Sequence, residues 1–449
     1  MLSTQQASFV TVTTLPMQSV PDAFRLPVHS VMSILSWVPA GVQQFGRRYA
    51  NRIWSDNVDP LLYIALADDW EVRGNGSGNP RVLQFDPMRR LMEILESNAI
   101  RGSFNVELMQ QLTYRKFQDD YPELREIADE WDAIVLEAFS RGHDIQPHLH
   151  TQWSEPEYCG QLRWKLSGSW SMLDYSEKEM RSMIGPAIEY LQNLLRRVDP
   201  EYRCAAYRAG AWCAAPSDSL FPILAEFGIE LDQSILAGFR LETRHIKLDF
   251  TDYDEDFLAY YPRMTDARRI SQSPEPIVCL PSHSFRITRR EVLARDLAKL
   301  GKKLSKQQPE KPCSSNGDRG IVSDDWASLK DAGLAGKLRK LLSRYVERLL
   351  RVSDLSQCDF ATMELMLADI RMRAKQTGLA RVPIILGNHT KDIFDFSEIE
   401  RFIKLIANAS DIKVITLSEM ARGFRNGDFA VLTRARKNRQ HTADAAASA

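Results

Sequence analysis

Apolar and polar positions along the chain alternate between two spacings. LLYIAL, starting at residue 61, is a short continuous apolar run, followed by Ala67, Asp68, Asp69 and Trp70. It reads as a buried strand that delivers two carboxylates at its C-terminal end. GNGSGNP, from residue 74 to 80, carries the glycines and polar residues of a loop. Helical spacing follows over residues 88–98, then the strand-like IRGSFNVE, with Phe104 and Val106 on one face. Leu124, Ile127, Trp131, Ile134 and Val135 recur at helical intervals and predict a helix over residues 122–141. It leads into RGHDIQPHLHTQW, read as a strand running out into a loop.

The rhythm continues. Residues 175–198 read as helix, AAYRAGAW as a short strand and loop, and residues 219–227 as a helix stopped by Gly228. IELDQSI and IVCLPSHSF are further strands. Residues 363–377 are helical, 382–386 form a buried strand leading to His389, 398–409 are helical, and 412–417 are a last strand. Strand alternating with helix predicts an α/β fold around a parallel sheet. Three segments interrupt it. Residues 1–57 form an N-terminal extension in which 28–54 mix apolar residues with arginines, expected to pack on the main domain, with a surface for peripheral membrane contact as the alternative. Residues 289–350 are a helical insertion around a polar break, and 426–449 end in a small, polar tail expected to be disordered. The main domain is thus expected over residues 58–425.

Composition narrows the class. The chain has 449 residues, 44% hydrophobic, ample for a large buried core. Its formal net charge of −1 argues against a nucleic-acid binder. The six cysteines show no CxxC spacing, no apolar run approaches the length of a membrane span, and the first residues lack a signal-peptide pattern. Reduced thiols in the cytoplasm are the expectation.

The chemistry concentrates at strand ends. His148 and His150, two apart in an extended segment, point the same way and can share one ion. Asp68 and Asp69, Arg208, Asp232 and His389 end other predicted strands. C-terminal strand ends face one side in such folds, so these groups can converge. Carboxylates, a histidine pair, an arginine and a lone histidine are the components of metal-assisted hydrolysis.

In this order the motifs resemble those of the polysaccharide deacetylase superfamily, the NodB-homology group. Ala67-Asp68-Asp69 is similar to its Asp-Asp motif and GHDIQPHLH to its histidine motif. Tyr207-Arg208-Ala209-Gly210-Ala211-Trp212 is similar to its arginine motif, Leu231-Asp232-Gln233-Ser234 to its later aspartate strand, and Leu386-Gly387-Asn388-His389 to its Leu-x-x-His. The resemblance implies a distorted (β/α)7-type barrel and removal of N-acetyl groups from a saccharide or glycan precursor. It implies Asp69, His148 and His150 as ligands of a divalent metal, commonly zinc, and Asp68 as general base. Arg208 would hold that base, His389 would be the acid, and Trp70, Trp212 and Asp232 would support site or sugar. One departure matters: the family spaces its second histidine four residues on, and here that position is Gln152. Substitution by His150 keeps the metal. Its loss would leave a carbohydrate-binding or assembly protein, and a third outcome is a hydrolase of another C–N amide bond.

Overall fold

The computed structural model describes residues 59–242, 246–288, 348–393 and 395–434. The predicted extension 1–57 and nearly all of the predicted helical insertion lie outside the described residues. Ten strands and eight helices are named here in chain order: β1 (Leu61–Trp70), α1 (Asp86–Ser97), β2 (Ser103–Glu107), α2 (Leu108–Phe117), α3 (Pro122–Ser140) and β3 (Asp144–Leu149). There follow α4 (Glu177–Leu195), β4 (Ala206–Ala209), α5 (Leu220–Glu226), β5 (Leu231–Asp232), β6 (Val278–Cys279), β7 (Ser284–Thr288) and β8 (Arg348–Val352). The last are α6 (Phe360–Thr377), β9 (Arg381–His389), α7 (Phe396–Ala407), β10 (Ile412–Val414) and α8 (Leu417–Arg425).

One parallel sheet runs β6-β5-β4-β3-β2-β1-β9, and β10 also pairs with the start of β1. Every pairing in it is parallel, as the helix-strand alternation predicts. The two edges meet only lightly. Just past β6, Ser282 bridges Ile385 of β9, and the His283 amide donates to the Ile385 carbonyl at 3.2 Å. The result is a distorted α/β half-barrel curled almost shut.

Strand parity sorts the side chains of β1. Leu62, Ile64, Leu66 and Trp70 pack into the helix-facing core with Leu91, Leu95 and Phe402. Ala65 and Ala67 instead join Ala206, Leu231, Val278 and Ile385 in the smaller interior core. Alanines of β1 and β4 make room there for larger apolar side chains, and polar side chains gather beyond it at the strand ends.

Two elements differ from expectation. The predicted last strand ends at Val414, because Thr416 and Glu419 form a reciprocal capping box that starts α8. Of the tail expected to be disordered, residues 426–434 are described and pack on the domain, and residues 435–449 lie outside the described residues. Phe429 and Val431 are buried, and the Leu432 amide donates to the Ala259 carbonyl at 2.9 Å. The five cysteines among the described residues are free. None of the described helices is long and apolar enough to cross a membrane.

Candidate metal centre

The upper end of the barrel interior collects Asp69 and Glu71 from the end of β1, Asn105 from β2, and His148 and His150 from β3 and its exit. It also collects Arg208 from β4, and His389 and Lys391 from β9 and the turn after it; all of these but Lys391 are buried to at least nine-tenths. Adjacent strands place them in register: Asp69 lies opposite Asn105 on one side and His389 on the other, and His148 lies opposite Arg208.

Glu71, His148 and His150 each offer one ligand atom, and these atoms lie within 4.8 Å of one another. The His148 Nδ1–H donates to the Arg208 carbonyl at 2.9 Å, which orients the ring with Nε2 toward Glu71. That Nε2 is buried without a hydrogen-bond partner, 3.4 Å from Glu71 Oε2. The His150 Nε2 contacts the same carboxylate oxygen. Two imidazoles and a carboxylate form a donor set suited to a catalytic zinc or a similar divalent ion. The residues present therefore fit a metal.

Gln152 is fully buried and turned to His150. Its Nε2 lies 2.9 Å from His150 Nδ1 and its Oε1 3.3 Å, and Nε2 also donates to the Gly74 carbonyl at 3.1 Å. The position where the resemblance calls for a second histidine thus holds an amide that braces the histidine actually present. Such outer partners orient metal-binding imidazoles and set their tautomer. Gly210 makes the close packing behind His150 possible, since a Cβ there would stand 2.9 Å from His150 Cα and 2.4 Å from the Leu149 carbonyl oxygen.

The structure brings some expected residues together and separates others. Asp69, expected with the histidines, is outside that three-residue group. It accepts from Asn105 Nδ2 at 2.8 Å and Arg208 Nη1 at 3.3 Å, and lies 3.5 Å from His389 Nε2. Glu71, two residues further on, occupies the position by the histidines. Asp68 has the opposite parity and lines a small apolar recess with Leu91, Leu95, Phe104 and Ile403. Burial there, aided by the charge of Asp69, pushes its carboxyl up to about 8. Arg208 accordingly pairs with Asp69 and Gln233, the latter at 2.9 Å. Trp70 is a core residue, because its parity points it at the helices: it is fully buried against Phe85 and Trp131 and donates to the Gln84 carbonyl. Trp212 stays near the centre, its ring edge-on to His389 at 5.9 Å between centroids. It follows Ala211, and both hold positive φ of 56° and 51° respectively, a strained turn beside the site. Asp232 is buried on its own strand, where it accepts from Ser234 Oγ at 2.8 Å.

Comparisons with known proteins return remote likenesses. No family model matches the chain, and no curated protein matches it at a significant level. Among solved structures the fold is similar to a protein described as a polysaccharide deacetylase from Mycobacterium smegmatis. That pair has 15% identity, covering 85% of this chain and 96% of that one, with a TM-score of 0.41. A second, described in the same way and from Pseudomonas aeruginosa PAO1, has 11% identity, coverage of 82% and 92%, and a TM-score of 0.41. The allantoinase PuuE has 10% identity, coverage of 83% and 98%, and a TM-score of 0.39.

Three participants carried no motif in the sequence. Glu71 and Lys391 lie two residues beyond expected site residues, and strand parity alone is the signal that finds them. Asp354 follows β8, far from His389 in sequence, and its Oδ2 lies 2.7 Å from His389 Nδ1. Burial pushes the His389 imidazole down, but the Asp354 carboxylate, helped by Asp69, overrides it and lifts the group to about 9.

Proposed function

We infer that the chain is a metal-dependent hydrolase of a C–N amide bond, with N-acetyl groups of a saccharide or glycan precursor as substrate. The observation that carries this reading is the buried Glu71-His148-His150 group with the unpartnered His148 Nε2 at its centre. A divalent ion held there would supply Lewis-acid polarisation and an acidified water. The surrounding residues divide the remaining work. Asp69, oriented by Asn105 and Arg208, is the interior carboxylate assigned to accept a proton, in place of Asp68 on the helix side of β1. His389, protonated at neutral pH through Asp354, is the proton donor for a departing amine. Trp212, partly exposed beside His389, is the surface for a sugar face.

The test is metal content and acetate release together. Purified protein should hold one equivalent of zinc or a similar ion and lose it in Glu71→Gln and His148→Ala. N-acetylated glycans should release acetate with wild type and not with Asp69→Asn. Metal content unchanged by both ligand substitutions would sink the reading. One observation favours a second reading, a binding protein on the same barrel: the Lys391 ammonium already neutralises Glu71. Saccharide binding without metal or turnover would select it.

A further inference from the structure

Fixed cations already face the interior carboxylates. Arg208 pairs with Asp69, Lys391 with Glu71, and His389 lies between Asp69 and Asp354. Lys391 reaches its position by strand geometry. It stands on the turn Thr390–Asp392 directly after β9, two residues beyond His389, so it faces Glu71 as His389 faces Asp69. Its ammonium contacts Glu71 Oε1, while the two imidazoles approach Oε2. A divalent ion seated on Glu71, His148 and His150 would therefore meet a fixed positive charge held on the same carboxylate. In a cavity of low dielectric, two cations on one carboxylate repel strongly.

We propose that Lys391 is an internal counter-ion that competes with the metal for Glu71, so that metal occupancy requires Lys391 to leave the carboxylate. This rests on the metal reading above and concerns a residue that reading does not use. In the metal-free protein Lys391 keeps the buried Glu71 carboxylate paired, avoiding an unpaired charge in the interior. When the ion binds, the ammonium is released toward the open end of the barrel. Lys391 thereby sets the metal affinity without being a ligand.

The test is zinc binding to the full chain, read by competition with a chromophoric chelator. Wild type is compared with Lys391→Met and Lys391→Arg, with Glu71→Gln as the ligand control. Removing the charge should tighten zinc binding about tenfold or more, whereas Lys391→Arg, which keeps it, should stay near wild type. One equivalent bound by Lys391→Met with unchanged or weaker affinity overturns the proposal and leaves the metal reading standing. Binding that Glu71→Gln does not weaken overturns both. Should Lys391→Met fail to fold without metal, Lys391→Gln serves in the same comparison, with the zinc-induced rise in Tm as readout. A rise larger than that of wild type is expected, and an equal rise overturns the proposal.

Discussion

Asp354→Asn isolates the origin of the His389 charge. The two groups share a 2.7 Å contact in a buried site, and His389 is lifted from 6.5 to about 9. Burial alone acts the other way, so the lift is the surplus of the Asp354 and Asp69 charges over desolvation. Asparagine keeps the size and can still accept from Nδ1, but removes the larger charge. Burial then faces Asp69 alone, with Lys391 opposing, and the imidazole should fall by about two units or more. A folded value raised above the unfolded one stabilises fully below the unfolded pKa and loses that contribution as pH rises through the folded one. The window here runs from pH 6.5 to about 9, and the coupling is worth on the order of 3 kcal/mol. The direct assay is an NMR titration of the His389 imidazole in both proteins. If His389 is the proton donor, the alkaline limb of the kcat/KM profile should move to lower pH in the variant. An imidazole that still titrates near 9 in Asp354→Asn would refute the account, because among the described residues Asp354 is the carboxylate that contacts Nδ1.

Other substitutions test the remaining assignments. Asp68→Asn should stabilise the protein at high pH: the raised carboxyl of Asp68 stabilises below about 4 and loses that contribution as pH rises through about 8. Denaturant midpoints should favour the variant by a few kcal/mol at pH 9 and by little at pH 4, and a difference independent of pH counts against the raised value. Gln152→Ala should weaken zinc binding about 10- to 100-fold through His150 while leaving the fold intact, measured by chelator competition. Trp70→Ala should cost about 3–5 kcal/mol in a urea melt and leave saccharide affinity unchanged wherever the protein stays folded, since the ring is entirely within the core.

Much of the framework was legible in the pattern of apolar residues. The strands carrying Asp69, His148, Arg208 and His389 were each bounded by apolar runs, and alternation with helices predicted their parallel pairing. What escaped was decided by contacts distant in sequence. Asp354 reaches His389 because β8 pairs antiparallel with β7 at the barrel's closing edge, and nothing near residue 354 signals that pairing. The strand character of residues 348–352 was hidden for the same reason: a leucine-rich, basic run fits a helix until its partner strand is known. Gln152 read as a missing ligand because a motif comparison counts positions. In the structure it is seen to touch the ligand that replaced it.

The pair Asp68-Asp69 shows where motif reading and strand physics part. A motif treats adjacent acids as one unit, but a strand sends them to opposite faces. Register then decides which face is the site. Ala67, Asp69 and, by extension, Glu71 stand beside Gly387, His389 and Lys391 on the neighbouring strand. Each strand thus presents a small residue and then two charged ones of a single sign. Asp69 meets His389 at 3.5 Å and Glu71 meets Lys391, so two cross-strand pairs of opposite charge line the interior. On the opposite face the same register pairs Asp68 with Asn388. A one-residue slip between β1 and β9 would exchange the two faces and bury the charges against α1 and α7. The candidate metal group is therefore a product of the β1–β9 register, with Glu71 its third donor and Lys391 its counter-charge.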